Sequence, residues 1–85
     1  NLLFAHLIVF YTMFPSKRTR LERKIKELNA LMAEYRDELE ETERRFRRRE
    51  IGRDELDRIT ARNKAKMEGI TERIRAARAE LDGLK

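Results

Sequence analysis

From Leu21 onward the chain places apolar or small residues at alternating steps of four and three: Leu21, Ile25, Leu28, Met32, Tyr35, Leu39, Thr42 and Phe46. That spacing is a heptad seam along one face of an α-helix. A second seam of nearly equal length runs through Leu56, Thr60 with its neighbour Ile59, Asn63, Met67, Ile70, Ile74, Ala77, Leu81 and Leu84. Between them lies Ile51-Gly52-Arg53. Glycine can take the left-handed conformation that closes a helix, and Asp54 offers an N-cap followed by Glu55 and Asp57 in the first turn. The pattern predicts two helical arms, about 17–50 and 54–84, joined by a turn at 51–53.

Folding back at that turn matches the seams layer by layer as an antiparallel coiled-coil hairpin. Phe46 meets Ile59, Thr42 meets Asn63, Leu39 meets Met67, Tyr35 meets Ile70 and Met32 meets Ile74; Leu28 with Ala77, Ile25 with Leu81 and Leu21 with Leu84 complete the set. The two polar seam positions, Thr42 and Asn63, then share one layer, and a buried asparagine penalises slipped registers at some cost in stability. Arms of roughly 30 residues make a rod about 45 Å long. A single long helix dimerising in parallel would have to run through Gly52 and skip a step of the seam there. Leu31 and Ile51 lie off the seam and are candidate contact points, and Gly69 marks either a close approach by another helix or a tolerated soft spot.

The first segment, NLLFAHLIVFYTMFP, has a different pattern: nearly every position is apolar and His6 is its one titratable side chain. Its roughly 14 helical residues would span about 20 Å, short of the ~30 Å hydrocarbon core of a bilayer. Two readings stand. Since the chain begins at Asn1 and not at methionine, the segment is the inner part of a longer transmembrane helix, or it packs against partner subunits. A cleaved signal peptide fits less well, because basic residues should precede the apolar run and here they follow it.

The domain reading is therefore residues 1–15 as a membrane or subunit-packing helix and residues 16–85 as the hairpin, in an all-α chain. At the junction Pro15 interrupts the helix, and Ser16 or Thr19 can cap the next one, Thr19 through a capping box with Glu22. Lys17, Arg18, Arg20, Arg23, Lys24 and Lys26 cluster just beyond. Positive charge on one flank of a span marks the cytoplasmic side and attracts anionic headgroups, so Lys17, Arg18, Arg20, Arg23 and Lys24 are candidate juxtamembrane lipid contacts. Together these place the protein at a membrane with the hairpin in the cytoplasm.

Charge refines this picture more than it redirects it. Asp, Glu, Lys and Arg make up 44% of the chain, with both signs interleaved after residue 16, as suits exposed helices. Lys and Arg outnumber Asp and Glu by 21 to 16, and the net +5 favours anionic neighbours without choosing among lipid, RNA and acidic protein. Cysteine is absent, which excludes disulfides and thiolate metal sites. His6 has no carboxylate near it in sequence, so neither a metal site nor a histidine-based nucleophile relay assembles locally. The carboxylates have basic partners four residues on, Glu22 with Lys26, Glu40 with Arg44 and Glu43 with Arg47. No glycine-rich phosphate loop is present. The expectation is a protein without catalytic residues, metal, cofactor or small-molecule substrate.

The stretch RRFRRREIGRDEL, residues 44–56, remains. Arg44, Arg45, Arg47, Arg48, Arg49 and Arg53 gather at the hairpin tip as candidates for contact with a partner or an anionic surface, but Glu43, Glu50, Asp54, Glu55 and Asp57 nearly cancel their field, so the stretch reads first as a solvated, mixed-charge tip. Nucleic-acid binders show an uncompensated basic stripe with aromatics free to stack, and Phe46 is claimed by the seam, which disfavours that role. The leading reading is a non-enzymatic membrane-anchored structural or accessory subunit that offers its hairpin to protein partners. A filament-forming subunit and a nucleic-acid-binding hairpin are alternatives.

An apolar helix, a basic juxtamembrane turn and an antiparallel cytoplasmic hairpin also resemble, in layout, the opening of the YidC/Oxa membrane-protein insertase superfamily. The resemblance implies a coiled-coil hairpin that engages a ribosome or targeting factor. No specific motif is matched, and no second or third span and no groove arginine within a span lies in these 85 residues.

Overall fold

The structure is a computed structural model that describes residues 2–5 and 15–84. Helix α1 begins where Pro15 and Ser16 allow it and runs Lys17–Arg47. Ser16 is its N-cap: the backbone is extended there, and the hydroxyl accepts the Thr19 N–H at 3.1 Å while contacting the Thr19 hydroxyl at 3.0 Å. Of the two expected caps Ser16 takes the role, and the capping box from Thr19 to Glu22 is not formed. Ser16 satisfies an orphan amide that Thr19, already inside the helix, cannot reach.

Helix α1 ends three residues before the expected position, and the turn is not closed by glycine. The Arg49 N–H bonds the Phe46 carbonyl at 2.9 Å and the Glu50 N–H bonds the Arg45 carbonyl at 2.9 Å, the two hydrogen bonds of a Schellman motif. Its left-handed residue is Arg49, with φ 62°. Gly52, expected to fill that role, is extended at φ −87° and ψ 172° and serves as the N-cap of α2, Arg53–Asp82, with no side-chain hydrogen bond. Asp54 therefore lies inside the first turn with Glu55 and is not the cap.

The early stop has a packing reason. Ile51, expected off the seam as a contact point, is 7% exposed. Ending α1 at Arg47 gives the chain five residues to cross between helices and return an apolar side chain to the core.

The two helices lie antiparallel, since the start of α1 meets the end of α2 through Lys17 and Glu80 at 3.9 Å, and Arg62 reaches Glu38 at 3.5 Å further along. Leu28, Met32, Ile70 and Ile74 form the central buried cluster, with Ile25, Leu31, Tyr35 and Met67 packed against it. Leu21 and Ala77 extend the core toward the open end. The outermost expected layer is incomplete: Leu84 lies past the end of α2 and is 39% exposed, although Leu21 is buried. The described residues extend over 70 × 24 × 13 Å, so the hairpin is one helix thick and each broad side of its seam lacks a second layer.

Residues 2–5 are helical. The rest of the apolar segment, His6 included, lies outside the described residues, so the expected membrane helix falls largely there. Among the described residues no helix is long and apolar enough to cross a membrane.

Candidate functional site

The arginine-rich tip is built by the Schellman turn. Arg44 donates from Nε at 3.0 Å and Nη2 at 2.8 Å to Glu41 Oε2. That hydrogen bond first, then the Arg44 charge and the weaker fields of Arg48 and Arg45, hold the Glu41 carboxyl below the ordinary glutamate value. Arg45 pairs with Glu50 at 3.6 Å. Arg53 approaches Asp57 at 3.8 Å and lies over the half-buried Phe46 ring at 5.7 Å. Arg47, Arg48 and Arg49 are exposed, and no carboxylate among the described residues lies within salt-bridge distance of them.

The six tip arginines therefore separate into two groups. Arg44, Arg45 and Arg53 are engaged by the hairpin's own acids or by Phe46, and Arg47 to Arg49 are exposed without a salt bridge among the described residues, Arg48 acting on Glu41 only through its weaker field. Sequence spacing missed this division. The i to i+4 pairs expected for Glu22, Glu40 and Glu43 are not formed. Arg44 turns back three residues to Glu41 instead, as Arg75 does to Glu72; on an exposed helix face carboxylates three and four residues away are both neighbours of similar energy.

At the other end Lys17, Arg18, Arg20, Arg23 and Lys24 are all exposed. Among the described residues Lys17 has a salt bridge, the long one to Glu80, and the other four have none. The polar pair in the seam is buried, Thr42 at 4% and Asn63 at 1% exposed. Thr42 Oγ1 donates to the Glu38 carbonyl at 2.8 Å, whereas neither carboxamide atom of Asn63 has a hydrogen-bond partner.

Shallow grooves flank the seam on both sides. One runs over Leu31, Tyr35, Lys66, Gly69, Ile70 and Arg73, with the Lys66 ammonium 5.4 Å from the Tyr35 ring centre. The other exposes edges of Met32, Met67 and Ile74 between Arg36, Lys64 and Thr71. Among the described residues no three His, Cys, Asp or Glu side chains converge on a position that could hold a metal ion. Compared with protein-family models, with curated proteins and with solved structures, the chain matches none.

Proposed function

We propose that this chain is a non-enzymatic accessory subunit, held at a membrane by its apolar N-terminal segment and offering an antiparallel coiled-coil hairpin to protein partners on the cytoplasmic side. The observation that carries the reading is the contrast between its ends. Leu2, Leu3 and Phe4 are 80%, 79% and 63% exposed on a helical turn, and the sequence continues apolar to Phe14. Lys17 and its basic neighbours then begin an exterior that is charged throughout. Apolar surface of that density calls for a lipid or protein cover, and a basic flank favours anionic headgroups beside it. The carboxylates with partners are exposed and paired with arginine or lysine, which suits a solvated rod. Asn63 supports the coiled-coil register, and Arg47, Arg48 and Arg49 offer the tip to an acidic protein surface.

Flotation of the full chain with phospholipid vesicles tests the membrane part. Co-migration with vesicles containing anionic lipid, resistant to alkaline carbonate, is expected. A chain that stays at the bottom of the gradient with both neutral and anionic vesicles refutes it. The tip is tested by converting Arg47, Arg48 and Arg49 to glutamate, which should abolish capture of protein partners but leave flotation intact.

A further inference from the structure

One broad side of the hairpin carries a charge pattern that a single copy uses only in part: Glu38 pairs with Arg62 and Glu41 with Arg44, while Glu27, Glu34 and Arg73 have no salt bridge among the described residues. On α1, Glu27, Leu31, Glu34, Glu38 and Glu41 follow one another at steps of four and three, so they form one stripe. On α2, Ile59, Arg62, Lys66, Gly69, Arg73 and Ala76 form another in the same way. The Arg62 to Glu38 pair and the groove shared by Leu31, Gly69 and Arg73 place both stripes on the same side of the hairpin. Between residues 27 and 41 that side is therefore acidic on α1, and between residues 59 and 76 it is basic on α2, with Leu31, Tyr35 and Ile70 between and the signs reversing at Lys24, Arg45, Glu55 and Glu80.

Gly69 adds an independent sign. A Cβ built there meets nothing within 4 Å, and its φ is not positive, so neither crowding nor backbone conformation in the single hairpin demands glycine. Its effect inside one copy is only to weaken α2 and leave a gap beside Tyr35 and Arg73.

We infer that this side is the interface of a homodimer in which two hairpins stack face to face as a four-helix bundle with both tips at the same end. A half-turn about an axis along the rod lays the second copy's α2 over α1, so the acidic half meets the basic half twice. Glu34 then faces the second copy's Arg73, and Leu31 and Tyr35 face its Gly69 and Ala76. The other face-to-face rotation, about an axis across the rod, lays α1 on α1 and sets glutamate against glutamate. The chosen symmetry gives the seam the second layer it lacks and brings both N-terminal segments to one end. It follows from the charge pattern and does not rest on membrane attachment.

The test is sedimentation of the full chain in detergent micelles, with Glu34→Arg, Arg73→Glu and the double exchange, each checked for unchanged helicity. A dimer is expected, weakened about tenfold by either single reversal of two symmetric ion pairs and restored by the double exchange. Spin labels on Arg48→Cys, the sole cysteine in such a chain, should show one short tip-to-tip distance. A chain that is monomeric at all concentrations, a dimer indifferent to Glu34→Arg, or labels separated by a rod length would each overturn the inference.

Discussion

Thr42 and Asn63 are the two polar residues buried in the hairpin seam, and only one of them is satisfied. Thr42 Oγ1 donates to the Glu38 carbonyl of its own helix at 2.8 Å, while the carboxamide of Asn63, 1% exposed, has no hydrogen-bond partner. A desolvated amide without a partner costs roughly 1–3 kcal/mol. Asn63→Leu should therefore stabilise the hairpin by about that amount in urea unfolding. The same change should loosen the register, because an apolar side chain accepts neighbouring layers that an amide penalises. Cysteines introduced at positions 28 and 77 should crosslink within one chain in the parent background, and less uniquely in Asn63→Leu. A destabilised variant would mean that the amide contributes favourably where it is.

The central cluster should carry most of the stability. Leu28 and Ile74 are 4% and 8% exposed, and truncating either to alanine removes roughly 2–5 kcal/mol. A two-helix hairpin has only about that much to lose. Circular dichroism at 25 °C should show Leu28→Ala and Ile74→Ala largely unfolded, whereas Leu84→Ala, at an exposed position past α2, should stay within about 0.5 kcal/mol of the parent.

The turn can be improved at both of its caps. Arg49 holds φ 62°, a conformation that costs an L-residue about 1–2 kcal/mol and glycine almost nothing. Arg49→Gly is expected to raise the thermal midpoint. Gly52 caps α2 without a side-chain hydrogen bond, so Gly52→Asp should add a further few tenths of a kcal/mol. If Arg49→Gly lowers the midpoint, the arginine side chain contributes more to the tip than its backbone strain costs.

Glu41 should report on the tip through pH. Its carboxyl titrates below the ordinary glutamate value because Arg44 hydrogen-bonds its charged form. A depressed folded-state value means that the pair favours the folded helix above the ordinary glutamate value, and that this contribution is lost as pH falls through the lowered one. In an NMR titration, Arg44→Ala should move the Glu41 midpoint upward. An unmoved midpoint would show that the Arg44 contact is not formed in solution.

The heptad seams, and with them two helices folding back on each other, were legible because burial on one side of a helix forces a 3.5-residue period on the sequence. The burial of Thr42 and Asn63 was legible for the same reason. The details of the turn were not. Glycine is the usual left-handed residue, but Arg49 takes that role because the helix must stop early enough for Ile51 to reach the core. The exposed ion pairs were also misjudged, since arginine and glutamate rotamers in water choose among several neighbours of similar energy.

By itself, then, the sequence determined the helices, the apolar lines that must be buried and the chemical contrast between the first 15 residues and the rest. Tertiary structure decided where α1 ends, that Asn63 is left without a partner, and that glutamates of α1 share one side with arginines and lysines of α2. Those three depend on the distance and angle between two helices. Periodicity along one chain records which side of a helix is buried, and contains no term for what the neighbouring helix brings beside it.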